Sequence, residues 1–167
     1  MKKAFLGMIA IILLVSPLVW AEMMEDVTQH SSCSYCGMHR EKFAHSRMLI
    51  SYEDGTQVGL CSIRCAAVDL ANNIDKTPTT IQVGDYQTHK LIDAQMATWV
   101  LGGNQPGVMT KRAKWAFETK EAAEQFIKEN GGETIDFEAA MEASYNDMYN
   151  DTRMIREKRK KMRMMKN

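Results

Sequence analysis

The chain has 167 residues, room for one domain with a real core plus appendages and too few for two large domains. Its formal charge of zero hides an acidic body and a basic end. Residues 22–150 carry 11 basic and 19 acidic side chains, and residues 151–167 carry 8 basic and 2 acidic ones. A body at net −8 argues against nucleic acid as the main partner, because phosphate binding needs a basic surface on the fold itself.

Residues 1–21 read as a secretory signal. Lys2 and Lys3 form a positive start, Phe5 to Val15 is an apolar run broken by Ser16-Pro17, and Val19-Trp20-Ala21 places a small residue at a cleavage site. Pro17 and Ala21 favour cleavage over an uncleaved anchor. No cysteine directly follows the run, which argues against a lipid anchor at that point. An exported, periplasmic protein is expected. Its four cysteines all follow the signal, and in an oxidising compartment cysteines ordinarily pair as disulfides.

Residues 22–32 are polar and without periodicity, so a leader is expected there. The chemical centre follows at Cys33-Ser34-Tyr35-Cys36-Gly37-Met38-His39, which holds two thiols, a thioether and an imidazole. All three side-chain types ligate soft or borderline metal ions. Arg47 to Tyr52 alternates as a strand, Asp54-Gly55 signals a hairpin, and Thr56 to Cys61 returns as its partner. Ser62 is placed to cap a helix over 63–72, with Ile63, Ala66, Ala67 and Leu70 on one face. Strands are then expected over 81–86 and 89–94, with 97–101 as a candidate third. Gly102 to Gly107 is the strongest loop signal and leads into Val108-Met109. Lys114 to Phe117 reads as a strand, Thr119 caps a helix over 120–130, and Gly131-Gly132 stop it. Glu133 to Phe137 reads as the last strand, and the chain beyond Ala140 is helical, basic and rich in methionine.

The halves share a faint repeat: a strand, Ser62 and a helix in the first, then a strand, Thr119 and a helix in the second. The expected fold class is therefore α+β. Two tandem ββα-type, treble-clef-like units, about 33–75 and 81–137, form one domain over 33–140, with a helical tail over 141–167.

The cysteine spacing is C-x2-C, twenty-four residues, then C-x3-C. A loop pair facing a pair at a strand-to-helix junction is the layout of zinc-knuckle and treble-clef sites, and the helix N-terminus favours thiolate at Cys65. Three chemistries fit these residues. Structural Zn would take Cys33, Cys36, Cys61 and Cys65, and disulfides would take the same four. A Cu(I) site would use fewer thiolates, with thioether or imidazole completing a low-coordinate geometry. His39, adjoining Met38, is a weaker candidate ligand, and so is His45 in the loop before the first strand. No Ser-His-Asp set, paired carboxylates or phosphate loop stands out, and the CxxC lacks a thioredoxin-like βαβ setting. An enzyme is not expected.

Tyr35-Cys36-Gly37-Met38, a strand ending in Cys61-Ser62 before a helix, Met109 ahead of Ala116-Phe117, the helix Glu121 to Phe126 and Gly131-Gly132 together resemble the NosL family. The resemblance spans about Cys33 to Phe137. It implies an exported Cu(I) chaperone of duplicated ββα fold, supplying a periplasmic copper protein such as nitrous oxide reductase. Cys36, Met38 and Met109 are then the candidate ligands. The chain departs from that pattern in lacking a lipid-bearing cysteine and in having the additional Cys33 and Cys65, so the four-thiolate site stays open. The rival reading is a small exported interaction module with structural Zn or disulfides. The implied partner is the recipient copper protein or its assembly machinery, with membrane contact through the basic tail a further expectation.

Overall fold

The computed structural model describes residues 24–165; the signal read over 1–21 lies outside the described residues. Glu25–Gln29 forms a short helix, α1. After a 3-10 turn over Glu41–Phe43 come β1 (Met48–Tyr52), β2 (Gln57–Leu60), α2 (Ile63–Asn72), β3 (Pro78–Gly84) and β4 (Leu91–Asp93). The second run is β5 (Thr98–Leu101), β6 (Lys114–Phe117), α3 (Lys120–Asn130), β7 (Glu133–Ile135) and a long helix, α4 (Phe137–Met164).

Two antiparallel sheets result, ordered β2-β1-β3-β4 and β6-β5-β7. In each, a hairpin is followed by a helix, and the next strand returns to the free edge of the hairpin's first strand. The expected repeat thus extends one strand beyond ββα. The strands at 78–84 and 91–93 complete the first sheet, with Met48 opposite Val83 and Ile50 opposite Ile81. They had been expected to open the second half; strand patterns are local, whereas the choice of neighbour is not.

Local chemistry explains most of the boundaries. Gly55 at φ +81° makes the hairpin turn, and Asp54 accepts the amide of Thr56 at 2.8 Å. Thr119 accepts the amide of Ala122 at 3.2 Å and starts α3, and Gly131 at φ +74° ends it. Asp136 accepts the amide of Ala139 at 2.8 Å. That cap ends β7 at Ile135 and makes Phe137 helical, where a strand through Phe137 had been expected.

The core is continuous between the sheets and helices. Met48, Ile50 and Leu60 of the first sheet, Trp99, Val100 and Phe117 of the second, and Ala66, Ala123 and Ala140 of the helices are all buried. Tyr86 packs its ring on Trp115, Phe117 and Phe126, which joins the two halves.

The expected leader is part of the fold. Val27 is buried, and Asp26 meets two fully buried guanidiniums, Arg40 at 2.6 Å and Arg47 at 2.9 Å. Arg40 also donates to the carbonyls of His30, Met48 and Leu60, which fixes α1 across β1 and β2. Gly59 allows this approach, since a Cβ there would stand 2.4 Å from that of His30. Five residues are too few to show helical periodicity, so this docking has no sequence signature.

Candidate metal centre

Cys33 to Met38 is a tight knuckle. The amide of Cys33 donates to the carbonyl of Met38 at 2.8 Å, that of Gly37 donates to the carbonyl of Cys33 at 2.9 Å, and Gly37 takes φ +75°. The knuckle is tied at two points. The Ser34 amide donates to the Gly59 carbonyl on β2 at 3.0 Å, and the Tyr35 hydroxyl donates to Asp69 of α2 at 2.8 Å. The other oxygen of Asp69 accepts the hydroxyl of Tyr52 on β1. Asp69 lies four residues after Cys65, so this buried carboxylate holds the knuckle to the helix that carries the second thiol pair.

Cys61 follows β2 and Cys65 lies in the first turn of α2. The sulfur of Cys61 is 3.4 Å from that of Cys36 and 3.8 Å from that of Cys65. All four thiol sulfurs lie within 4.8 Å of one another. All four cysteines are free; Cys33, Cys61 and Cys65 are buried, and Cys36 is half-buried. Four sulfurs around one tetrahedral ion at about 2.3 Å stand about 3.8 Å apart, so the cluster already has the size of a metal site.

Protons within the cluster are shared unevenly. Hydrogen bonds from Cys36, Cys61 and Cys65 drive the Cys33 thiol far below its ordinary range. For Cys36 the bond with Cys33 pushes upward, and those with Cys61 and Cys65 pull down to about 7. Cys61 and Cys65 are pushed up, first by Cys33 and then by Cys36. The helix N-terminus was expected to favour thiolate at Cys65; the bonds with Cys33 and Cys36 instead push its thiol up. A metal ion must displace the remaining protons, so its affinity falls as pH falls.

The fold therefore brings together all four cysteines. Met38, on the knuckle, and Met109 are each half-buried against the same core, while His39 is exposed. Met109 has φ +62°, a left-handed conformation rarely adopted by non-glycine residues. Its loop is held by α4: the Lys111 amide donates to Asp151 at 3.1 Å, and Arg112 and Lys114 both bind Asp147. One turn on, Thr152 accepts from Arg64, the neighbour of Cys65. Helix α4 thus ties the Met109 loop and the Cys65 helix to one another. Asp69, Asp147 and Asp151 were not read as site-building residues from the sequence, because isolated acids at helical spacing look like an ordinary solvated face.

A knuckle and a helix start thus converge on one ion-sized group of thiols. The NosL family model matches residues 24–145. The chain belongs to the NosL family. The match begins at the residue before α1, in keeping with the docked position of that helix. The crystal structure of the copper chaperone NosL from Shewanella denitrificans is similar in fold, with a TM-score of 0.55 and 24% identity. The likeness covers 64% of this chain and 87% of that one. No curated protein sequence matches significantly. As a NosL protein the chain is not an enzyme, and its mixed α+β architecture of two antiparallel sheets and a C-terminal helix is similar to the NosL structure.

Proposed function

We propose that this NosL protein is an exported Cu(I) chaperone that carries one ion at the knuckle and yields it to a periplasmic copper protein by ligand exchange. The observation that carries the reading is the group of four free thiols within 4.8 Å, three buried and Cys36 half-buried at the edge. Thiolate and thioether ligands suit Cu(I), a soft ion. Cys36 is the ligand that a recipient's thiolate or thioether reaches first, and Met38 two residues on supplies a thioether to hold the ion as a thiolate leaves. The left-handed backbone at Met109 supports a ligand role for that residue too, and His39 is a weaker candidate. The name of the Shewanella denitrificans structure supports copper as the cargo. Nitrous oxide reductase or its assembly machinery is the proposed recipient, with the acidic NosL domain over 33–140 as carrier and the basic tail over 141–167 as a contact for a partner or membrane surface.

A second reading, structural Zn in a treble-clef-like first unit, is favoured by the near-tetrahedral size of the cluster. Anaerobic loading with Cu(I) or Zn(II) separates the two. Under the chaperone reading one Cu(I) binds per chain, Cys36→Ser weakens it most, and Met38→Ala or Met109→Ala weakens it detectably. Tight Zn binding indifferent to both methionine changes supports the structural site. Two disulfides in the purified protein and no Cu(I) uptake under reducing conditions would sink the chaperone reading.

A further inference from the structure

A second pair of metal-ligating side chains stands outside the group of four thiols. His45, just before β1, and His89, in the β3–β4 turn, have ring centroids 6.2 Å apart. Among the described residues neither imidazole has a hydrogen-bond partner. His45 is half-buried, with its ring 5.4 Å from that of Trp115 and 5.8 Å from that of Tyr86. His89 is exposed on the other side of the gap.

The turn that carries His89 is rigidly built. Asp85, itself buried, accepts from the amides of Gln87 and Thr88 and from the Thr88 hydroxyl. Its carbonyl accepts the amide of His89 at 2.9 Å, and the His89 carbonyl accepts from the buried guanidinium of Arg47 at 2.6 Å. His89 takes φ +62°, a conformation that histidine tolerates better than most residues. These bonds fix the backbone that places one imidazole beside the other.

The spacing fits one coordination geometry. With metal–nitrogen bonds of about 2.0 Å, two imidazoles spanning one ion in line have centroids about 6.3 Å apart, against about 5.2 Å at a tetrahedral angle. The observed 6.2 Å is close to the in-line value. Near-linear two-coordination suits a filled-shell soft ion, and imidazole is an accepted copper ligand. Burial, helped by the nearby His89, lowers the proton affinity of His45 and so keeps its lone pair available.

We propose that His45 and His89 form a second, weaker Cu(I) site, separate from the thiol cluster. Two nitrogens and an open rim make it an exchangeable site, where an ion enters and leaves without disturbing the thiols. Trp115 lies close enough to His45 for a bound ion to change its emission.

Anaerobic titration of the full chain with Cu(I) alone, against a competing chelator, tests this. Tryptophan fluorescence and histidine side-chain NMR are read together. A second equivalent is expected after the thiol site fills, accompanied by a change in emission and by shifts of the His45 and His89 resonances. His89→Asn, which keeps the left-handed backbone accessible, should weaken that equivalent at least tenfold and leave the first unchanged. His45→Phe, which keeps the ring packing, should do the same. Loss of the first equivalent with the second retained would sink the thiol-site reading and leave this one standing. A single equivalent in the native chain, or a second one indifferent to His89→Asn, would overturn the proposal.

Discussion

Arg40 and Arg47, both fully buried, each bind the carboxylate of Asp26. Removing one partner of a buried ionic group strands the remaining charges in a low dielectric, at a cost of about 3–5 kcal/mol. Asp26→Asn is therefore expected to destabilise the fold by an amount in that range, read from urea unfolding midpoints. Burial alone would raise the Asp26 pKa, but hydrogen bonds and charge from Arg47 and then Arg40 outweigh it, and the folded-state value is lowered. A carboxylate lowered on folding contributes stability above its unfolded pKa, and that contribution is lost as pH falls through the folded one. Acid unfolding of the native chain should show that loss below about pH 4, and Asp26→Asn should lack it. An unchanged acid slope in the variant would remove Asp26 from this role.

Helix α4 acts on the site as an element. Asp147 binds Arg112 and the buried amine of Lys114, Asp151 holds the amide of Lys111, and Thr152 holds Arg64. These four ties fall within two turns of one helix, yet they reach the Met109 loop on one side and the Cys65 helix on the other. Asp147→Ala leaves Lys114 without its carboxylate, while burial already disfavours its charged form. The expected result is faster hydrogen exchange and proteolysis across 102–113, with the thiol cluster intact. Protection of that loop equal to the native chain would show that the ion pairs do not hold it. Beyond Ile155 the helix faces solvent, with Met162 and Met164 exposed among the basic residues. Deleting residues 156–167 is expected to change stability by no more than about 0.5 kcal/mol, as for other surface changes. Deletion from Phe137 onward should unfold the domain, since Phe137, Ala140 and Met141 belong to its core.

At the scale of the whole molecule, much was legible from short windows. The hairpin over 47–61, the helices over 63–72 and 120–130, and the caps at Thr119 and Gly131 follow from period, turn residues and capping chemistry within a dozen residues. The cysteine spacing likewise announced a four-sulfur group, because a knuckle and a helix start are each built locally and a hairpin joins them. Assignment of β3 and β4 to the first sheet was not legible: both edges of β1 offer the same backbone groups, and packing decides which strand takes them. Nor was the docking of α1, whose signal is a single carboxylate meeting two guanidiniums 14 and 21 residues away. The sequence by itself determined most of the elements, the spacing of the four thiols and the resemblance to NosL, since each rests on neighbours along the chain. The tertiary structure alone decided which sheet each strand joins, that Asp69 and α4 brace the site, and that two distant histidines stand side by side. Those depend on contacts between residues far apart in sequence, which no local pattern encodes.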